Sequence, residues 1–518
     1  MQIVIENIKM PIRHKEEEVI SAARKIVRLS CISASNFSIY KKSIDARRKS
    51  DIHYVYAVSA EVADGTKVSG NIKEMQWGEE LEIPLVSMKD RPVVVGMGPC
   101  GLFAAYILAK SGNPPLIIER GEDVETRKAS VEKFWQTGVL NPDSNIQFGE
   151  GGAGTFSDGK LNTRISDPRQ RFVLKTFVDF GATEDILYKA KPHVGTDVLC
   201  EVIKNMRKEL IGMGVEVRYK TCVTDIKIKD GKVCEIELDN GESIKCRKII
   251  LAIGHSSRDT YEMVHRREIV MEQKPFAVGV RIEHAQSFIN EMQYGNAEGL
   301  PPAEYRLAYN GKDRSCYSFC MCPGGVVVNA SSEVGMLAVN GMSEYLRDGK
   351  NANSALVVNV KPTDFNNGVL GGIEFQRKYE RLAFMLGGGD GKAPVQLARD
   401  FLDDRPTVQL GDVLPTVTSG YKTAELKTCL PEFVAKGLCD GLIDFEHKIK
   451  GFARGDAVLT GIESRTSAPV RIKRGENMQS INAEGLYPAG EGAGYAGGIV
   501  SAAVDGIRVA FAMVEENV

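Results

Sequence analysis

What this 518-residue chain has little of is net charge. Its 66 Lys and Arg against 68 Asp and Glu leave a formal −2, so no whole-molecule field draws it to nucleic acid or to an anionic membrane. One local basic cluster stands out, Lys41, Lys42, Arg47, Arg48 and Lys49 around Asp45, and a solvated turn is its simplest reading. The opening MQIVIENIKMPIRHKEEE lacks the unbroken apolar core and small-residue cleavage site of a secretory leader, so a cytoplasmic location is expected. The 11 cysteines are odd in number and scattered, which disfavours a disulfide framework. Repeats and low-complexity segments are also lacking. With 43% hydrophobic residues and 52 glycines, the chain reads as a globular protein of two or three domains rich in tight turns.

The longest uncharged stretch, residues 92–109, is broken by Gly96, Gly98, Pro99 and Gly101, which argues against a membrane span. RPVVVG reads instead as a strand. GPCGLFAAYILAKSG then reads as a helix, with Leu102, Ala105, Tyr106 and Ala109 at helical spacing. Gly96, Gly98 and Gly101 have the G-x-G-x-x-G spacing, and a second strand, PLIIERG, supplies Glu119 about 20 residues later. In such a unit Gly96 permits the tight turn, Gly98 lets the backbone approach a pyrophosphate, and Gly101 lets helix and strand pack closely. The helix start offers free N–H groups to the anion, and the acid accepts the adenosine ribose hydroxyls.

Toward the other end, GLYPAGEGAGYAGGIVSAAVDGIRVA (485–510) reads as a strand, Gly490, Glu491, and a second glycine-rich turn opening a helix near Gly498. A helix start at the pyrimidine edge of a flavin would stabilise the charge gained on reduction, so FAD rather than NAD is expected. A third apolar strand, RKIILAIGHSS, ends at Gly254 and His255.

These three segments, in this order, resemble the two-dinucleotide-binding-domain flavoproteins related to glutathione reductase. GEGGAGTFSDGKLNTR (149–164) and CMCPGG (320–325) are similar to the bacterial family usually called uncharacterised FAD-dependent dehydrogenases, and the resemblance covers essentially the whole chain. It implies an α/β fold: a Rossmann-like FAD-binding domain in two parts, 89–275 and 446–518, an inserted α+β substrate domain at 276–445, and a small N-terminal α+β module at 1–88. It implies cofactor contacts at Gly96, Gly98, Pro99, Cys100, Gly101, Glu119, Arg120, Arg127, Gly152, Gly154, Lys160, Val223, Ala252, Gly254, Gly490, Glu491, Gly497, Gly498 and Ile499. The chain departs from disulfide reductases in having no cysteine pair in GGAGTFSDGKLN and no second full unit for NAD(P)H. MLGGGDGKAPV has glycines but no preceding strand, so the expectation is either NADH or NADPH as a transient donor at the flavin face or another donor altogether.

Candidate catalytic groups are His255 and Lys160, as acid or base or simply as partners of backbone carbonyls, Arg465, as a grip on a carboxylate or on the flavin edge or as half of a structural salt bridge, and Cys320 with Cys322. Alternation along a strand would turn both of these thiols to one side, as a dithiol relay or as small packing residues. Their spacing with Cys316 is not that of a metal knuckle, and no metal is expected. The function expected is an FAD-dependent oxidoreductase passing a hydride to or from a small organic molecule. The alternative is a redox-sensing scaffold or tRNA-modification flavoprotein using the N-terminal module for binding. No motif encodes the substrate, the reaction direction or the oligomeric state.

Overall fold

The computed structural model describes residues 1–75, 81–163, 167–365 and 368–516, so Arg164 of the GEGGAGTFSDGKLNTR segment lies outside the described residues. At the centre is a five-stranded parallel sheet in the order Leu486–Pro488, Ile249–Leu251, Val93–Val95, Leu116–Ile118, Glu216–Arg218. The first four strands are wholly buried, which is why they carry apolar residues without alternation: both faces of the sheet are covered. Val94, Ile117, Ile250 and Tyr487 face the helices Pro99–Lys110, Gly195–Gly212 and Ile499–Glu515. Val93, Val95, Leu116 and Ile249 face an antiparallel layer that includes Val223–Lys229 and Lys232–Leu238.

Helix Pro99–Lys110 starts with proline in its first turn and is buried from Cys100 to Ala109, wedged between the sheet and Ile499–Glu515. A Cβ at Gly101 would lie 1.9 Å from the Gly96 carbonyl oxygen. Only glycine lets the helix sit this close to its preceding strand.

The insert is built on a seven-stranded sheet in the order Ala308–Asn310, Ser315–Cys322, Asn351–Val360, Phe276–Ala285, Val458–Glu463, Ala393–Leu397, Tyr421–Thr423. Helices Gly371–Leu386 and Glu432–Lys448 pack against it. Val458–Glu463 corrects the expected boundary at 445. It hydrogen-bonds between Phe276–Ala285 and Ala393–Leu397, so the insert extends through Glu463. The glycines of MLGGGDGKAPV form the turn from helix Gly371–Leu386 to strand Ala393–Leu397.

The N-terminal module is an antiparallel sheet, Ala34–Asp45, His53–Val62, Gln2–Met10, Ile72–Glu74, covered by helix Glu16–Leu29. The helix turns Val19, Ala23 and Val27 inward, four residues apart on one stripe. The edge strand docks on the central domain: the Lys42 N–H donates to the Tyr188 carbonyl at 2.7 Å, and the Ala190 N–H donates to the Lys42 carbonyl at 2.8 Å. The Lys42 ammonium lies over the Tyr54 ring at 5.0 Å, and Arg47 forks onto Asp45. Part of the basic cluster is thus used within the protein. No helix among the described residues is long and apolar enough to cross a membrane.

Candidate functional site

Ligands of open parallel sheets bind beyond the carboxyl ends of the strands. Here the ends of Val93–Val95, Leu116–Ile118 and Ile249–Leu251 open into one cleft of about 530 Å³, bounded on the far side by the insert strand Ser315–Cys322. The five candidate catalytic residues line it, as do the expected cofactor residues except Gly101, Arg127 and Gly490. Those three act from behind the wall. Gly101 is the helix–strand contact described above. The fully buried Arg127 guanidinium donates to the carbonyls of Asn145, Ile146 and Glu150 at 2.7–2.8 Å, folding the loop before Gly152. The Gly490 N–H donates to Asp505 at 2.7 Å.

Glu119 is buried at the end of its strand. One carboxylate oxygen accepts from the Met97 N–H at 2.7 Å, the other from Gly121 at 2.9 Å and Gly149 at 3.0 Å. It therefore holds together the glycine turn, its own strand end and the GEGGAG segment, and the oxygen that accepts only from Met97 keeps acceptor capacity for a ligand hydroxyl. Arg120 beside it pairs with Asp259 and lies 4.5 Å from the Phe148 ring centre. Val223 begins the strand that forms the adjoining wall.

At the other part of the cleft, helix Ile499–Glu515 begins after Gly498, whose φ of +112° lies in the region that favours glycine. Burial pushes the Glu491 carboxyl up to about 7, against the Gly498 N–H and the Lys274 charge. Asp505 and Arg474, which sequence reasoning missed, brace this part of the cleft from behind. Arg474 donates to Asp505 at 2.6 and 2.9 Å and to the Pro488 carbonyl at 2.8 Å, fixing the strand end and turn that present Glu491. An acid inside the apolar run IVSAAVDGIRVA was the available signal.

The candidate catalytic groups come together with changed roles. Burial, with the Arg465 and Arg258 charges, pushes His255 down to about 3, so it is a neutral imidazole, paired with Ser256 at 2.9 Å, and not an acid near neutral pH. Arg465 already grips a carboxylate, that of the protein itself: it donates to both oxygens of buried Glu380, at 3.0 and 2.8 Å, and to Ser332. Arg258, on the helix after the AIGHSS turn, binds the same carboxylate at 2.7 and 3.0 Å. Together they staple the insert to the central domain, so the structural salt bridge is the one of the alternative readings of Arg465 that is seen.

The thiols are not equivalent, since the strand is bulged between Phe319 and Cys322 and Cys320 has a φ of +41°. Cys320 opens to the cleft, whereas buried Cys322 turns back toward the Cys320 carbonyl at 3.3 Å. Burial pushes the Cys322 thiol upward. Cys322 is not a ready thiolate, and the bulge breaks the simple alternation expected of the pair. Cys316 is buried elsewhere, with its Sγ only 2.5 Å from where a Cβ on Gly441 would stand. Lys160 donates to the Met321 carbonyl between the two thiols and lies 3.5 Å from Asp158.

Residues 275–466 match the family described as FAD-dependent protein, C-terminal domain-like, and residues 1–61 match a domain of unknown function, DUF8436. An uncharacterized protein of Clostridium beijerinckii is 51% identical over 529 residues, covering 100% of this chain and 99% of the relative. This chain belongs to that protein's family. The solved structures it is similar to are more distant. A glycine oxidase from Bacillus cereus is 13% identical, over 83% of this chain and 95% of that one, with a TM-score of 0.33. A geranylgeranyl bacteriochlorophyll reductase-like protein from Thermoplasma acidophilum is 14% identical, over 82% and 78%, at 0.37. Similarity this distant assigns nothing to the site.

The residues of this family member fit FAD. A Cβ at Gly254, Gly497 or Gly498 would meet no protein atom within 4 Å. This leaves three glycines bordering an open cradle, continuous with the Gly96–Gly98 turn, the free N–H groups of helix Pro99–Lys110 and the Glu119 carboxylate.

Proposed function

We propose that this chain is an FAD-dependent oxidoreductase that holds its cofactor non-covalently and acts on a small organic molecule at the insert side of the cleft. The observation that supports it most is continuity: one cleft runs from the Glu119 turn, past Glu491 and Gly498, to the Ser315–Cys322 strand. Bound FAD supplies a two-electron hydride carrier. Glu119 receives the ribose, and the Pro99–Lys110 helix start faces the pyrophosphate. The Ile499–Glu515 helix start presents its positive end to the redox-active end of the cofactor. Neutral His255, held by Ser256, offers a fixed hydrogen bond in the same wall. The burial and inward turn of Cys322 support direct exchange with a substrate over a thiol relay.

Heat-released cofactor from purified protein, identified by chromatography, is expected to be FAD at one per chain. Anaerobic mixing with NADH and NADPH, then with unsaturated and quinone acceptors, tests donor and acceptor. Folded protein that releases no flavin would overturn the reading.

A further inference from the structure

The insert side of the cleft carries an excess of positive charge. Three carboxylates face or border it, Asp158, Glu304 and Glu463, against five cations: Lys160, Lys191, Arg306, Arg281 and Arg347. Two acids are matched from behind. Arg347 forks onto buried Asp158, and fully buried Arg281 binds Glu463 at 2.8 Å. Glu304 is matched by Lys191, which pairs with it from across the cleft mouth. Lys160 and Arg306 are left over. Lys160 spends a hydrogen bond on the Met321 carbonyl and stands 3.5 Å from Asp158 and 4.0 Å from Glu304, two acids already paired. Arg306 is exposed in the wall and forms no ion pair among the described residues.

The field of this excess is visible in the acids themselves. Burial alone would raise Glu304 and Asp158, yet both are held below the usual carboxylate range, with Lys160 the largest opposing influence on each. A chain with a formal charge of −2 thus concentrates a net excess of two positive charges at the end of its cleft, where walls of protein weaken solvent screening. Ser318 and Asn340 in the same wall add polar side chains.

Resting on the flavoprotein reading above, we infer that the substrate is an organic anion, a carboxylate or an acid of similar charge, held by Arg306 and Lys160 at the insert end of the cleft. A guanidinium suits a planar carboxylate because its fork donates two parallel hydrogen bonds. Lys160, on the loop after the GEGGAG segment, brings the second charge from the central domain, so an anion there would contact both sides of the cleft.

The test is a difference-absorbance titration of the flavin-bound protein at low ionic strength with benzoate and with its uncharged counterpart benzamide. Benzoate is expected to perturb the flavin spectrum, with benzamide at least about tenfold weaker. Arg306→Gln and Lys160→Gln are each expected to weaken benzoate about tenfold and leave benzamide unchanged, the scale of losing one charged hydrogen bond. Thermal unfolding checks that both variants fold. Equal binding of the two probes, no benzoate binding, or benzoate binding untouched by both substitutions overturns the inference. Should the purified protein hold no flavin, the oxidoreductase reading falls by itself. Equilibrium dialysis of labelled benzoate and benzamide against the flavin-free protein and the same variants then decides the anion site independently.

Discussion

Replacing Glu119 by alanine removes more than a ribose partner. Its two carboxylate oxygens accept three backbone N–H groups, from Met97, Gly121 and Gly149, at 2.7–3.0 Å in a buried setting. Each buried donor left without an acceptor costs about 1–3 kcal/mol. With water entering the space left behind, the lower end applies, and the three together cost about 3 kcal/mol. For a domain of this size that lowers the melting temperature by about 6–12 °C. Loss of the ribose contact weakens FAD by a further ~1–3 kcal/mol, roughly 5- to 150-fold. The assay has two arms: thermal unfolding of flavin-free parent and variant by circular dichroism, and FAD titration of each below its melting point by flavin fluorescence. Glu119→Gln keeps one acceptor oxygen and turns the other into a donor facing N–H groups, so an intermediate loss is expected in both arms. A flavin-free Glu119→Ala protein that melts within about 1 °C of the parent would refute the argument that the carboxylate fastens the three segments. Unchanged FAD affinity would remove it from the ribose site.

Burial raises Glu491 from 4.5 to about 7, so between these values the folded state binds the proton more tightly and this group's contribution to stability falls as pH rises, levelling above 7. His255 and His284, pushed down to about 3 and about 4, act in the opposite sense below pH 6.5. The expected outcome is therefore a difference: the urea-measured stability of Glu491→Gln relative to the parent grows between pH 5 and 7 by about 2 kcal/mol. A flat difference counts against the burial of that carboxyl. Arg465→Ala strips one of two guanidinium groups from buried Glu380 and should cost about 3 kcal/mol by thermal unfolding. Full stability with lost turnover would return Arg465 to the substrate. In stopped-flow experiments the double variant Cys320→Ser, Cys322→Ser should keep both flavin reduction and reoxidation. Reduction that persists while no acceptor reoxidises the flavin would establish the thiols as a relay.

The elements around the first glycine turn were legible because their determinants are local. A β-branched run, G-x-G-x-x-G spacing and a strand-end acid each declare themselves within about 30 residues, and Val93–Val95, helix Pro99–Lys110 and Glu119 stand accordingly. Gly498 likewise announces the last helix through its own neighbours. What sequence pattern does not carry is which distant groups satisfy one another. Val458–Glu463 is assigned to the insert only by pairing with a strand about 180 residues earlier, and Arg465 is committed only because Glu380 and Arg258 arrive from two other elements. The bulge that separates Cys320 from Cys322 cancels the period-two alternation on which strand reasoning depends. The cationic end of the cleft is likewise a sum over residues from 158 to 463, each unremarkable alone. Local chemistry in the sequence therefore determined the cofactor unit. Long-range charge pairing, which depends on distance through space and on burial, was decided only by the tertiary structure.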